Sequence, residues 1–352
     1  MRAIVCGNTA RALELCAWRS PVNAAAVSGA TALIVAVKLS NVACITELIR
    51  RGADVEQAQE DGMSPLMVAC WTGSRRALRA LLDLGGAQLD KQTPEGATPL
   101  MCASRRGQQK IVKALLRRGA RLDLVTENGD TALMLACSRG HAEIAGWLLD
   151  AGADIEARES HRRTALYIAS ADGEPAAVAM LGGRGASLLA ATDTGFLPLH
   201  GAAANGHVEC ISELIVAGAD VNARTEAGAG EGNLTPLMAA SFWGKVDCVR
   251  ALLLAGADKS LQMDNGATAL DLADNTPEAA DAVKKLLSAE EIEDSEHEAS
   301  EKEVASTFSD SPTSAATSSS SSSSSPSSFS SADASLSSPS ASSSSSPTAA
   351  SH

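Results

Sequence analysis

Short apolar stretches alternate with polar turns along most of the chain, and their spacing predicts helices. Examples are "TALIVAV" from Thr31, "TALMLAC" from Thr131 and "TPLMAAS" from Thr235. Their apolar residues recur at the spacing of a helix that is buried on one face. A Ser or Thr before Pro or Ala is typical of a helix start, because the hydroxyl caps free backbone amides and Pro fits the first turn.

The pattern repeats with a nearly fixed period. Successive helix starts lie 33, 34, 33, 33, 33, 38 and 33 residues apart, from Thr31 to Thr268. A Gly nine residues past six of the eight starts, such as Gly140, ends the first helix, and a second helix closes at a Gly-Ala pair. Each unit is therefore helix, turn, helix and extended loop. Such a unit cannot bury its apolar faces alone, so the units must stack.

The motifs "TPLM" and "LPLH" and the segment "RGHAEIAGWLLDAGADIEA" (139–157) resemble the ankyrin repeat family. The resemblance covers eight units. It implies an all-α fold, an ankyrin repeat α-solenoid with short β-hairpin loops, or fingers, between the units. It also implies a binding function rather than a catalytic one.

We predict eight repeats within residues 26–288, followed by a disordered tail. Repeats 1 to 8 are assigned to 26–58, 59–92, 93–125, 126–158, 159–191, 192–229, 230–262 and 263–288. Residues 1–25 align with the second half of a unit and are predicted to be a partial repeat or a cap. Residues 289–352 carry −9 of the net charge of −13 and are then Ser-rich. Few large apolar residues there could offset the entropy of ordering.

Three positions depart from the repeat pattern. Leu197 lacks the capping hydroxyl, which should weaken its helix start by about 1 kcal/mol. Arg162 and Asn233 replace the Gly that comes two residues before the cap. Asn tolerates a positive φ, whereas Arg162 predicts a reshaped finger. Extra residues in "TEAGAGEGNL" (225–234) predict an insertion in the loop.

Cys137 precedes His141 by four residues, which raises the question of a nucleophilic pair. Equivalent positions in other repeats hold small residues for Cys137 and varied polar residues for His141. Gly140 also separates the two, so they do not share a helix face. We therefore expect packing roles, and no catalytic residue, metal or cofactor. Cys44, Cys210 and Cys248 are predicted to be buried, reduced thiols on second helices.

In the ankyrin family, partners contact the fingers and the ends of the first helices on the concave side. By position, this resemblance selects the two residues before each helix-ending Gly. The candidate partner-binding residues are Trp71, Arg105, Arg106, Arg139, Asp172, Asn205, Phe242 and Trp243. Exposed Trp and Arg are common energetic anchors of interfaces. The alternative is that each Trp packs onto its own neighbours.

Between Arg75 and Arg121 the chain holds 11 basic and three acidic residues. Many of them fall on second helices, which the resemblance places on the outer face. Three explanations stay open: a solvated surface, a site for an acidic protein, or a site for the chain's own acidic residues 290–303. Nucleic acid is not favoured, because no aromatic residues are interleaved for base stacking.

The sequence therefore predicts a non-catalytic scaffold or adaptor for a protein partner, with an acidic partner as one candidate. The alternatives are a substrate-recruiting subunit of a ubiquitin ligase, or the ankyrin portion of a larger enzyme or channel. No apolar run reaches the roughly 18 residues of a membrane span, and no secretory signal is evident. We expect a monomer without membrane association, in the cytoplasm or alternatively in the nucleus.

Overall fold

The computed structural model describes residues 21–225 and 232–288, and these residues form a stack of helix pairs. The predicted tail (289–352) lies outside the described residues, as do most of the predicted partial repeat (1–20) and the centre of the insertion (226–231). Within the described ranges there is no β-strand, only an isolated bridge between Ala25 and Thr31. The boundaries of the repeats stay predictions, and their numbers are used for orientation.

Each repeat contributes a first and a second helix. The first helices are α1 (Ala32–Lys38), α3 (Pro65–Thr72), α5 (Pro99–Arg105), α7 (Ala132–Cys137), α9 (Ala165–Asp172), α11 (Pro198–Asn205), α13 (Pro236–Phe242) and α15 (Ala269–Leu272). The second helices are α2 (Val42–Arg50), α4 (Arg75–Asp83), α6 (Gln109–Leu116), α8 (Ala142–Asp150), α10 (Pro175–Gly183), α12 (Val208–Val216), α14 (Val246–Leu254) and α16 (Pro277–Ser288). A 3₁₀ helix, Ala273–Asn275, follows α15.

The predicted hydroxyl caps begin the first helices. Thr31, Thr131 and Thr164, for example, each accept a hydrogen bond at 3.3 Å from the backbone amide three residues later. Leu197 offers no such acceptor. His200 Nδ1 accepts from the Leu197 amide at 3.4 Å. This bond satisfies the backbone of the cap residue itself, whereas the hydroxyl that would accept from the helix amide stays missing.

Stacking buries the apolar faces in one continuous core. Each first helix packs on the first helix of the next repeat, and each second helix packs on the next second helix. Leu66, Ile111 and Leu148 represent the fully buried residues of this core. Cys44, Cys210 and Cys248 are buried in it as predicted. The core is therefore built between repeats, as a repeat array requires.

The fingers between repeats are tight turns rather than strand pairs. The turn of repeat 3 is closed by a hydrogen bond from Thr93 N to Ala97 O at 2.9 Å, with Gly96 at φ +83°. Neighbouring fingers are joined by backbone bonds such as Glu127 N to Glu95 O at 2.9 Å. These bonds set the spacing of the turns along the stack.

The prediction of a reshaped finger at Arg162 was wrong. Arg162 itself adopts the left-handed conformation at φ +60°, and the turn is closed by the usual bond from Glu159 N to Arg163 O at 3.1 Å. Glu159 Oε1 accepts from the amides of His161 and Arg163 and from Arg163 Nε, at 2.9–3.0 Å. These bonds hold the turn despite the unfavourable residue.

Candidate functional site

The ends of the first helices form a row of side chains that runs from repeat to repeat. At each predicted pair the first residue is partly buried and the second is exposed. We call the exposed residues the helix-end row: Thr72, Arg106, Arg139, Asp172, Asn205 and Trp243. Because successive first helices pack against each other, the row is continuous over six repeats.

Each helix end in this row is fixed by a side chain from the next repeat. Gly173 ends α9 at φ +79°, and a Cβ added there would lie 2.5 Å from His207 Nδ1. His207 Nε2 donates to Ala171 O at 3.0 Å, and Gln108 Nε2 donates to Trp71 O at 3.4 Å. The glycine thus serves both a left-handed cap and a close approach.

A close approach of this kind occurs at the five other helix ends of the row. At Gly73, Gly107, Gly140 and Gly206 the approaching side chains are Gln108, His141, Glu174 and Lys245. At Gly244 the approaching side chain is Thr276. Sequence reasoning identified only a varied polar position here; its regular place after the helix-ending Gly was the available signal.

Trp71 is half-buried and packs against the core. The guanidinium of Arg106 lies 4.6 Å from the centre of its ring, a cation–π contact between repeats 2 and 3. Arg105 is partly buried. At this end of the row Arg106 is therefore more accessible to a partner than Trp71, whose packing agrees with the alternative of contacts to its own neighbours.

The middle of the row is polar. Asp172 is exposed as a residue, but its carboxyl group is partly covered by neighbouring atoms, and this partial burial raises its pKa against the attraction of Arg163, Arg139 and His207. Asn205 Nδ2 donates to Ala171 O at 2.9 Å, so its amide group is fixed by the preceding repeat. These residues present both charge signs and an ordered amide.

The other end of the row is aromatic. Phe242 and Trp243 meet edge to face with ring centres 5.1 Å apart, and Trp243 is 44% exposed. Together with Phe196, Leu234 and Met263 they line a cavity of about 180 Å³, which we call the aromatic pocket. Its volume suits one large apolar side chain, in a setting typical of interface anchors.

Cys137 and His141 serve packing rather than chemistry. Cys137 is fully buried, and burial raises the pKa of its thiol to about 12, so the thiol is protonated at neutral pH. The His141 ring packs against Gly107 of the preceding repeat. Within the described residues, no group of three or more His, Cys, Asp or Glu side chains is placed to hold a metal ion.

No helix in the described ranges combines the length and apolarity required to cross a bilayer. This statement covers residues 21–225 and 232–288 alone.

Comparison with known proteins agrees with the helix pairs. The family model "Ankyrin repeats (3 copies)" matches residues 1–93, 84–159, 119–192 and 199–296. The chain is also 41% identical over 58 residues to protein phosphatase 1 regulatory subunit 27 of Mus musculus and of Homo sapiens. That match covers 16% of this chain and 38% of each relative. Because the family model matches most of its length, the chain belongs to the ankyrin repeat family.

Proposed function

We propose that this protein is a non-catalytic adaptor that binds a segment of a partner protein along the helix-end row. The observation that carries the proposal is the aromatic pocket at one end of a continuous, otherwise charged and polar row. An apolar side chain of the partner segment enters the pocket. Polar groups elsewhere on the same segment contact Asp172, Arg139 and Arg106. The protein acts as a monomer in the cytoplasm or nucleus.

The separation of an aromatic end from a polar middle of the row supports this arrangement. Burial of an aromatic or aliphatic anchor supplies most of the affinity of a typical interface, and surrounding polar contacts exclude water and set the register. Trp243 and Phe242 supply the anchor site, whereas Asp172 and Arg139 supply opposite charges two and three repeats away, respectively. Such spacing selects an extended segment rather than a small molecule.

Selection of short random peptides on the full-length protein tests the proposal. We expect selected peptides to bind Trp243→Ala at least about tenfold more weakly than the unmodified protein, since an aromatic anchor of an interface contributes about 2 kcal/mol or more. Arg139→Ala should weaken binding by less, because an exposed charge contributes little. Affinity is measured by fluorescence anisotropy.

Leu254→Ala is the matched control. Leu254 is 49% exposed and lies at the end of α14, the second helix of the same repeat. Its substitution removes a comparable apolar surface away from the row and should leave affinity unchanged. Selected peptides that bind all three variants equally well would place the binding surface elsewhere.

A regulatory role toward a protein phosphatase is a second candidate function. It rests on the local identity with protein phosphatase 1 regulatory subunit 27, which extends over 58 residues, less than two repeats. Co-purification of a phosphatase catalytic subunit with the full-length chain tests it directly. Loss of that association in Trp243→Ala would assign the phosphatase to the helix-end row.

A further inference from the structure

A second cavity lies on the opposite set of helices, among α2, α4 and α6. It has a volume of about 700 Å³, and we call it the basic groove. The residues that matter to its chemistry are Arg75, Arg76, Arg79, Lys110, Val42 and Leu84. All lie on or directly after second helices, so the groove is separate from the helix-end row.

The charge of the groove is uncompensated. Asp83 is the one carboxylate that lines it, and Arg118 Nη2 already donates to its Oδ1 at 2.5 Å. Within the described ranges, none of Arg75, Arg76, Arg79 or Lys110 forms an ion pair. Elsewhere on this face cations do find partners: Arg184, directly after α10, pairs with Asp150 of α8 at 2.8 Å.

The start of α4 adds to the positive potential. Arg75 and Arg76 occupy its first turn, and the Ser74 side chain makes no capping bond. By contrast, α8, α12 and α14 carry Glu143, Glu209 and Asp247 in their first turns. A helix start favours negative charge, so α4 leaves both its dipole and its arginines to be satisfied by an anionic ligand.

Apolar surface lies beside the charges. Leu84 is 60% exposed and lines the groove with Val42, and no aromatic ring is among the lining residues. Single-stranded nucleic acid is usually held by aromatic stacking platforms, which this surface lacks. Carboxylates flanking an aliphatic side chain fit it better. We propose that the basic groove binds an acidic peptide segment of another protein, with an aliphatic residue seated on Leu84 and Val42.

The chain's own acidic segment is a poorer ligand for the groove than a segment of a second molecule, because it follows the last helix of the stack. Residues 290–303 hold eight acidic residues and one lysine, and they begin just after α16 ends at Ser288. Six helix-to-helix steps separate α4 from α16, about 50–60 Å at the usual interaxial spacing. Residues 289–303 span at most about 50–54 Å when fully extended. Only the far end of the segment would then approach the groove, and most of its acidic residues precede that end. We therefore assign the ligand to a second molecule.

Fluorescence anisotropy with the full-length protein tests the proposal. The probe is a labelled synthetic peptide with the sequence of residues 290–303, "EEIEDSEHEASEKE", which has the required chemistry. We expect saturable binding that weakens as salt rises. The double variant Arg76→Glu/Arg79→Glu should weaken binding at least about tenfold. A probe in which Ala replaces the Ile should also bind more weakly.

The control variant, Arg250→Glu/Lys285→Glu, makes the same change of net charge on second helices α14 and α16. Equal weakening by the two double variants would overturn the proposal, because only net charge would then matter. Tighter binding of an oligothymidylate of equal charge would assign the groove to nucleic acid. A full-length variant with neutral residues for Glu290, Glu291, Glu293 and Asp294 should bind the probe as the unmodified protein does. At least about tenfold tighter binding would instead show occupancy by the chain's own tail.

This proposal does not depend on the proposed function. Trp243→Ala should leave the acidic probe's affinity unchanged, and Arg76→Glu/Arg79→Glu should leave unchanged the affinity of peptides selected on the helix-end row.

Discussion

His200 Nε2 donates a hydrogen bond to Leu234 O at 2.9 Å, and this bond joins repeat 6 to repeat 7. Because Nδ1 of the same ring accepts from the Leu197 amide, the bonding fixes a neutral ring with its proton on Nε2. The ring is fully buried, and burial lowers the pKa of His200 to about 4.

The His200 pKa predicts a loss of stability in mild acid. An unfolded His titrates near pH 6.5, so between pH 6.5 and about 4 the unfolded state binds a proton that the folded state excludes. Stability therefore falls as pH decreases through this window, by about 2–3 kcal/mol at pH 4.5. Urea unfolding of the full-length protein at pH 7 and pH 4.5 measures the difference.

His200→Gln is the control, because Gln offers a donor and an acceptor but does not titrate. The variant should be less stable at pH 7, and its loss of stability between pH 7 and pH 4.5 should be smaller by the amount that His200 contributes. An unchanged pH dependence would show that other groups cause the loss.

Arg162→Gly should stabilise the protein. A non-glycine residue in the left-handed region costs about 1–2 kcal/mol of stability. Gly removes this strain, but its greater freedom in the unfolded chain offsets part of the increase in stability. The expected increase in the free energy of unfolding is about 0.5–1 kcal/mol by urea titration. Arg162→Ala retains the Cβ and should bring no gain; equal stabilisation by both variants would mean that the Arg side chain, not the backbone, carries the strain.

Gly173→Ala should destabilise more than Gly185→Ala, although both glycines have φ +79°. An added Cβ meets the His207 ring at Gly173 and nothing within 4 Å at Gly185. The backbone strain is shared, so the difference measures the contact between repeats and is about 1 kcal/mol or more, including the bond from His207 to Ala171. His207→Ala in the Gly173→Ala background should recover part of the loss; no recovery would refute the steric explanation.

The two tryptophans of the candidate site should differ in their effect on stability. Trp71 packs against the core, whereas Trp243 is 44% exposed. Trp71→Ala should lower the free energy of unfolding by at least about 1 kcal/mol more than Trp243→Ala, because it removes more buried apolar area. Thermal and urea unfolding of the two variants give the comparison. A larger cost for Trp243→Ala would mean that the aromatic pocket is part of the core.

The sequence predicts features that depend on a residue and its near neighbours. The spacing of Thr131, Gly140 and the apolar positions between them defines a helix and its ends, because caps and buried faces follow local rules. Both residues before each helix-ending glycine were predicted to face the groove; the structure shows the first partly buried and the second exposed. Whether they bind a partner stays a prediction.

Features that depend on particular side-chain contacts, within a repeat or with the next one, could not be predicted in this way. The Arg162 turn keeps its shape through Glu159, which stands where repeats 3, 4 and 6 have Thr. The Leu197 amide donates to the His200 side chain. Gln108 and His207 bond to carbonyls 37 and 36 residues earlier. The basic groove likewise needs three helices from three repeats, and only their packing shows that its cations lack partners.

Gln108 and His207 each donate to a carbonyl of the repeat before them, so these hydrogen bonds run in one direction along the stack. If the last repeats detach, the helices before them lose the side chains that covered their final carbonyls. Detachment of the first repeats exposes no helix end in this manner, since each donor belongs to the following unit. Loss of units from either side breaks the same bonds, but it leaves carbonyl acceptors uncovered on the carboxyl side, where the aromatic pocket lies, and side-chain donors uncovered on the amino side, where the basic groove lies.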